Sequence, residues 1–427
     1  MPMDDLIIYF AVFTTAIFLI VLFLAKPKEF ILFFIIFSPI INIFWFYKIY
    51  DFSLVEIFSV IFPVFFIFIF LQRITQDRWV WGKYNRYFIL VLISFVIPLL
   101  KQIGQGNDFR NAFELFIKVF CGYASYLLFI NIFRIDEQKK VIRSVLYAVM
   151  ITTIMVIIQL ITGIGTGVSK DYYIKGFYHD PGQYTRMALV GIIILLPLFK
   201  LIKNKIDYIY KFLLLAFCII TLAVSISRNV VMSTASVVIV YGLLWRKYVF
   251  SLVIICVGVT IYFSSPVVKE TYEARFQKEI QYLKGYDIPI EVLGSGRIGI
   301  WQRTINKFKE SSLFEKLFGT NGDIGPHGQF FGLLKSVGII GIFTTILFYL
   351  KLLVDTFMMV IKDKNNVTAL YGFLMVFVVF IMSIASSPIT NSYFQIILFA
   401  FIALSEKSEK VKQNEKNVKV NNDNNHA

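Results

Sequence analysis

Two arginines, a histidine and a tryptophan stand at the edges of apolar stretches, in an order suited to holding an anionic group and moving a proton beside it. Arg297 follows Leu293-Gly294-Ser295-Gly296 and opens a segment of helical period, so a guanidinium and free backbone amides share a helix N-terminus, a natural anion site that a diphosphate fits. Arg228, in Ser225-Ile226-Ser227-Arg228-Asn229, lies between two short apolar runs. A charge at that depth calls for an anionic headgroup, or for snorkelling to water as an interfacial turn residue. His327, in Gly325-Pro326-His327-Gly328-Gln329, precedes another apolar helix, and imidazole can move a proton near neutral pH, although an isolated histidine also serves structural ends. Trp301 follows Arg297 by one turn, Gln329 follows His327, and Lys335 lies two turns further on, which makes all three candidate substrate contacts. A second group, Lys175, Tyr178, His179 and Asp180, precedes Pro181 and is followed by Arg186 at the top of the next apolar stretch. Cationic and aromatic groups around a turn suit sugar phosphates. Glu114 and Lys118 share one helix face and read as a structural ion pair.

The elements that position these residues are membrane helices. Of the 427 residues 58% are hydrophobic and 17% aromatic, more apolar surface than a water-soluble core of this length could hide. Stretches of about 20 apolar residues recur along nearly the whole chain. The fold class expected is therefore an all-α integral membrane protein of about thirteen transmembrane helices, with one large extracytoplasmic loop containing amphipathic helices. Residues 1–404 read as a single polytopic domain with outer loops near 162–184 and 264–328, and residues 405–427 as a disordered basic cytoplasmic tail, rich in Lys, Glu and Asn. Within the long loop Tyr272, Phe276, Ile280 and Leu283 recur at helical spacing, as do Ile298, Trp301, Ile305 and Phe308. The first apolar stretch follows Asp4 and Asp5 rather than a basic region, with no small-residue cleavage site after it, and reads as a retained helix.

Charge sets the expected direction. Alternate loops carry Lys26 and Lys28, Arg73 to Arg86, Arg134 to Arg143, Lys200 to Lys211, Arg246 and Lys247, and Lys362 and Lys364. The intervening short loops carry only Lys48, Lys101, Arg110, Lys170, Lys175, Arg186 and Arg228. The positive-inside rule puts the first set and the C-terminal tail in the cytoplasm and the N-terminus outside. The net charge of +15 thus reads as topology rather than as nucleic-acid binding. Cys121, Cys218 and Cys256 all lie in apolar stretches, which suggests neither a disulfide framework nor a zinc site.

There is no Asp-x-Asp, no phosphate loop and no His/Cys cluster at metal-ligand spacing, so nucleotide-sugar, ATP and zinc chemistries lose support, and no metal or cofactor is expected. A positively charged outer site then needs a substrate already activated and already outside, and a sugar on a polyprenyl diphosphate meets both conditions.

At these residues the chain resembles the O-antigen polymerase and O-antigen ligase family of bacterial envelopes, over roughly Gly176 to Gly341. The family pattern at the loop exit is His, then Asn, Ser or Gln, nine spacers and Gly-x-x-Gly. His327, nine residues after Gly328, Gly338 and Gly341 fit it, with Gly328 standing where an amide or hydroxyl is expected and Gln329 next to it. Gly176-Phe177 with Asp180-Pro181, Ser227-Arg228, and Gly296-Arg297 followed by Trp301 resemble family segments in the same order. The resemblance implies a metal-independent inverting glycosyltransferase of the bacterial cytoplasmic membrane that acts on undecaprenyl-type diphosphate donors. Arg228 and Arg297 would hold the donor diphosphate and His327 would orient or deprotonate the acceptor hydroxyl. It implies lipid-linked oligosaccharide repeat units and membrane lipids as binding partners, flippase and chain-length regulator proteins as neighbours, and no nucleic acid. A ligase, which transfers the same donor to a lipid A core sugar, and a lipid-linked oligosaccharide flippase remain the alternatives. The flippase would usually show internal repeats, and none is clear.

Overall fold

The computed structural model describes residues 21–43, 48–49, 52–75, 79–106, 109–162, 181–199, 204–225, 227–264, 266–294, 296–320 and 328–424. Apolar runs become helices because hydrocarbon offers the backbone no hydrogen-bond partners, and a helix satisfies its own. The sequence of elements is α1 (Pro27–Ile43), a two-residue antiparallel pair β1 (Lys48–Ile49) and β2 (Phe52–Ser53), α2 (Leu54–Ile74), α3 (Asn85–Gly104), α4 (Arg110–Ile132), α5 (Gln138–Thr162), α6 (Pro181–Leu198), α7 (Lys205–Ser225), α8 (Arg228–Trp245) and α9 (Tyr248–Ser264). These are followed by α10 (Pro266–Leu283), α11 (Arg297–Glu310), α12 (Leu313–Phe318), α13 (Gln329–Lys362), α14 (Val367–Ser383) and α15 (Ser392–Asn424).

Among the described residues six helices are long and apolar enough to cross a membrane, and four shorter apolar helices accompany them. Their outward faces carry Leu71, Leu90, Met232, Val249, Leu252 and Phe343, each more than half exposed. So much exposed aliphatic surface is unsuited to water and compatible with a helical membrane protein. The expected first helix, Leu6 to Ala25, lies mostly outside the described residues.

Ion pairs fix which helix ends lie together. Arg110 meets Glu56 at the start of α4 and α2, and Arg73 donates to the Asn131 carbonyl at their other ends, so the two helices run parallel. Lys28–Glu137, Lys83–Asp355 and Lys412–Asp363 lie at the end that holds Arg73. Lys101–Glu315 and Arg228–Glu279 lie at the opposite end. Among the described residues, Lys28, Arg73 and Lys83 of the first charge set thus lie at one end of the bundle and Lys101, Arg110 and Arg228 of the second at the other.

Three local features bear on the site. α10 and α11 form where the two amphipathic patterns predict them, and the short α12 follows, with Ser312 capping its N-terminus through a capping box with Glu315. α13 is kinked at Gly338, whose φ of 67° no other residue adopts easily. A Cβ there would stand 2.4 Å from the Leu317 carbonyl oxygen, and one at Gly319 would stand 2.2 Å from that of Ser336. The end of α12 is therefore wedged against the kink, which gives the first glycine of the Gly-x-x-Gly pattern a structural cause. Lastly, the tail expected to be disordered from Ser405 instead continues α15, with Ser405 and Glu406 buried. Glu406, Lys407 and Lys412 find partners on other elements, a compensation that local composition cannot reveal.

Candidate functional site

Arg228 is the first residue of α8, and its guanidinium is held on two sides. Nη1 donates to Glu279 Oε1 at 2.6 Å, and the guanidinium carbon lies 3.8 Å from the centroid of the Phe276 ring one turn earlier on α10. The same carboxylate oxygen accepts the Gly294 N–H at 3.0 Å, in the turn that leads into α11. Burial works against ionisation of Glu279, but the hydrogen bond and charge of Arg228 and the Gly294 N–H outweigh it and hold the carboxyl below the usual carboxylate range.

The backbone then turns through Gly296 in the left-handed region, φ 77°, and Arg297 begins α11 half-buried. One turn on, Trp301 stacks on Phe331 of α13, centroids 5.0 Å apart with the planes at 18°. Gly328, the N-cap of α13, has φ 95°, and a Cβ there would lie 2.9 Å from Trp301 Nε1. This explains the glycine where the family pattern has an amide or hydroxyl: the position is left-handed and the indole fills the side-chain space. Gln329 is buried at 2% exposure, its N–H bound to the Ser386 carbonyl and its side-chain oxygen to the Ile389 N–H at 3.1 Å. Its carboxamide thus fastens the 384–391 connection to α13. Asn229 completes the junction, donating to the Met382 carbonyl at 2.9 Å and to Ser386 Oγ at 2.8 Å.

The starts of α8, α11 and α13 and the connection between α14 and α15 therefore meet at one end of the bundle. Of the residues singled out from sequence, Arg228, Arg297, Trp301 and Gln329 come together there. Lys335 is half-buried further along α13, its carbonyl accepting both the N–H and the hydroxyl of Thr320. Arg186, on α6, lies apart in a cavity shared with Lys118 of α4, whose predicted pairing with Glu114 is present. His327, Lys175, Tyr178, His179 and Asp180 lie outside the described residues.

Sequence reasoning missed Glu279, Asn229 and Ser386. A carboxylate one turn beyond Phe276 on an amphipathic helix and three nearby serines, Ser383, Ser386 and Ser387, were the only local signals for them. Beside the junction an apolar cavity of about 610 Å³ opens between α7, α8 and α9 under α10, lined by Leu222, Val231, Val238, Ile255, Phe263 and Phe276. The ring that stacks on Arg228 is thus also a wall of this cavity. An amphiphile with an anionic head and a hydrocarbon tail matches the pair of features.

The Glu279 ion pair has a pH signature. A carboxyl whose pKa is lowered in the folded protein contributes stability that is complete above its unfolded value and is lost as pH falls through the lower folded value. Hydrogen exchange in residues 266–283, corrected for intrinsic rate, is expected to be flat from about pH 8 to about pH 5 and to accelerate only below about pH 4. Glu279→Gln removes the step, and an unchanged profile in that variant refutes the assignment.

No known family's profile matches this chain, and no curated protein sequence matches it, so the chemistry of the junction rests on its own residues.

Proposed function

We propose that the chain is a polymerase of O-antigen or capsular polysaccharide, transferring a growing glycan from polyprenyl diphosphate to the terminal sugar of a new lipid-linked repeat unit. The observation that carries this reading is the Arg228–Arg297–Trp301 junction set against an apolar cavity of about 610 Å³ at one end of the bundle. In this reading that end faces outward, the more basic end faces the cytoplasm, and the chain crosses the bacterial cytoplasmic membrane about thirteen times. The long outer loop folds back as α10 to α12 over the site.

The donor's diphosphate lies against Arg297 and Arg228, and its isoprenoid tail enters the apolar cavity. The acceptor hydroxyl oxygen attacks the anomeric carbon from the face opposite the leaving group, so that a C–O bond forms as the C–O bond to the diphosphate breaks and the configuration inverts. The hydroxyl proton passes to His327, and charge growing on the departing diphosphate is met by the guanidinium groups. Trp301 offers a flat apolar surface for a sugar ring. Arg228 must share its charge between Glu279 and the substrate.

Purified protein in liposomes that display lipid-linked repeats on the face of the α10–α12 layer provides the test. Growth of a ladder without nucleotide or added metal is the expected result. Folded protein that yields no ladder but carries repeats across the bilayer overturns the proposal in favour of transport. Transfer to a lipid A core sugar with no ladder favours ligation.

A further inference from the structure

At the end of the bundle opposite the junction, five cations from four helices crowd the last turn of α4: Lys28 on the first turn of α1, Arg73 on the last turn of α2, Lys140 on the first turn of α5, and Lys407 and Lys410 on α15. The carboxylates beside them are committed. Glu137 pairs with Lys28 at 2.7 Å and with Lys140 at 3.9 Å, and accepts the Arg134 N–H at 2.9 Å. Glu406 pairs with Lys410 at 2.6 Å, Asp136 with Arg134 at 3.2 Å, and Glu409 stands 4.0 Å from Lys83.

Arg73 and Lys407 are left with neutral partners. Arg73 Nη1 donates to the Asn131 carbonyl at 2.7 Å and Lys407 Nζ donates to the Phe133 carbonyl, and among the described residues neither forms an ion pair. The two carbonyls are two residues apart, so a guanidinium and an ammonium are held close together at one helix end. Helix-end carbonyls attract cations, but a C-terminus carries only about −0.5 elementary charge, which accounts for one of these cations and not for two. Lys407 registers the excess: burial first, and then the charges of Lys28, Arg73 and Lys410, push its pKa down to about 8 against the pull of Glu137.

The cluster stands where the apolar surface stops. Leu71 and Ile74, on either side of Arg73 in the chain, are exposed, and so are Val80 and Trp81 beyond it. An indole at such an edge marks the boundary between hydrocarbon and headgroups. Arg73 and Lys407 are themselves only half-buried.

We propose that Arg73 and Lys407, with Lys28 beside them, bind the phosphate of an anionic phospholipid in the leaflet at that end of the bundle. The phosphate oxygens accept from the guanidinium N–H groups that Asn131 leaves free and from the Lys407 ammonium, and the acyl chains lie along the exposed apolar residues next to Arg73. That adjoining apolar surface selects a lipid over a free phosphate ion, and a leaflet of anionic lipid supplies the charge that the protein lacks. The bound headgroup ties α2 to α15, two helices that no ion pair joins among the described residues. The site is separate from the junction and does not depend on the polymerase reading.

The test uses the full-length protein in detergent, stripped of lipid and then given phosphatidylglycerol, phosphatidylcholine or inorganic phosphate. Phosphatidylglycerol is expected to raise the denaturation midpoint and to remain bound at one equivalent by native mass spectrometry, and the other two to do neither. Lys407→Met keeps the stem and removes a charge that burial already disfavours, so the protein folds, and its affinity for phosphatidylglycerol falls about tenfold or more. Arg73→Gln, read in the same way, is a second route to that result. Lys407→Arg retains the lipid, and Lys139→Met, which removes the same net charge from an exposed position at that end, binds as the wild type does. Unchanged affinity in both Lys407→Met and Arg73→Gln overturns the inference. An equal loss in Lys139→Met overturns it by reducing the effect to net charge, and a midpoint shift as large with inorganic phosphate overturns it by assigning the cluster to a soluble anion.

Discussion

Arg297→Gln is expected to lower chain growth on lipid-linked repeats by about 100-fold or more, because loss of a preorganised donor to a developing oxyanion costs on the order of 10²–10³ in rate. Arg228→Gln lowers it as well, but for Arg228 two physical roles compete. The guanidinium lies 2.6 Å from Glu279 and over Phe276, so it could act on the substrate or simply pin α10 to α8. Glu279→Gln separates them. If Arg228 serves the diphosphate, removing its resident carboxylate frees charge for the substrate, and Glu279→Gln keeps or raises activity while Arg228→Gln loses it. If Arg228 only pins α10, both variants lose the same activity and the double variant loses no more than either. Equal losses in the two single variants would therefore remove Arg228 from the site while leaving Arg297 in it. Arg297→Gln at wild-type activity, with protein present in the membrane, would remove the anion site altogether.

The competition between a protein carboxylate and a substrate diphosphate was not legible in the sequence, and the reason is distance. Glu279 and Arg228 are 51 residues apart, and nothing in the local pattern of α10 marks Glu279 as a partner rather than a solvated residue. What was legible depends on solvent. Apolar runs had to be helices, and the described basic residues of alternate loops lie at two ends because consecutive membrane helices reverse direction. The amphipathic stripes of the long loop gave α10 and α11, although Leu283, placed on the first stripe, is 83% exposed. The glycines carried more than their motif suggested. Gly338 and Gly328 sit at positive φ against Leu317 and Trp301, contacts made by residues that precede them by 21 and 27 positions and that no periodicity predicts. Lys118 was read correctly as the partner of Glu114 and incompletely as only that, since its place in a cavity beside Arg186 depends on how α4 packs against α6 and α15.

The largest effect on stability is expected at Glu406, in the segment whose composition predicts disorder. Its side chain is buried at 1% exposure and gathers three donors. The Lys83 N–H reaches both carboxylate oxygens at 3.0 and 3.1 Å, the Tyr126 hydroxyl donates at 2.5 Å, and Lys410 closes an i,i+4 ion pair at 2.6 Å. Tyr126 in turn accepts the Tyr84 N–H at 3.1 Å, and Gly82 leaves room for its hydroxyl, since a Cβ there would overlap it. One carboxylate thus ties α15 to α4 and to the turn that starts α3. Glu406→Ala strips the acceptor from a buried N–H and a buried hydroxyl and leaves Lys410 uncompensated, for a loss of about 3–5 kcal/mol. Glu406→Gln keeps an acceptor oxygen but surrenders the charge, and its loss is about 1–3 kcal/mol. Tyr126→Phe removes both the donor to Glu406 and the acceptor of the Tyr84 N–H and costs about 1–3 kcal/mol. Denaturation midpoints in detergent compare the three variants, and Glu406→Ala below both Glu406→Gln and Tyr126→Phe is the expected outcome. Equal midpoints for Glu406→Ala and the wild type would show that the end of α15 is held by apolar packing alone. Because these partners stand at the opposite end of the bundle from Arg297, Glu406→Gln should lower the midpoint while leaving chain growth by the folded protein unchanged, which separates loss of fold from loss of site.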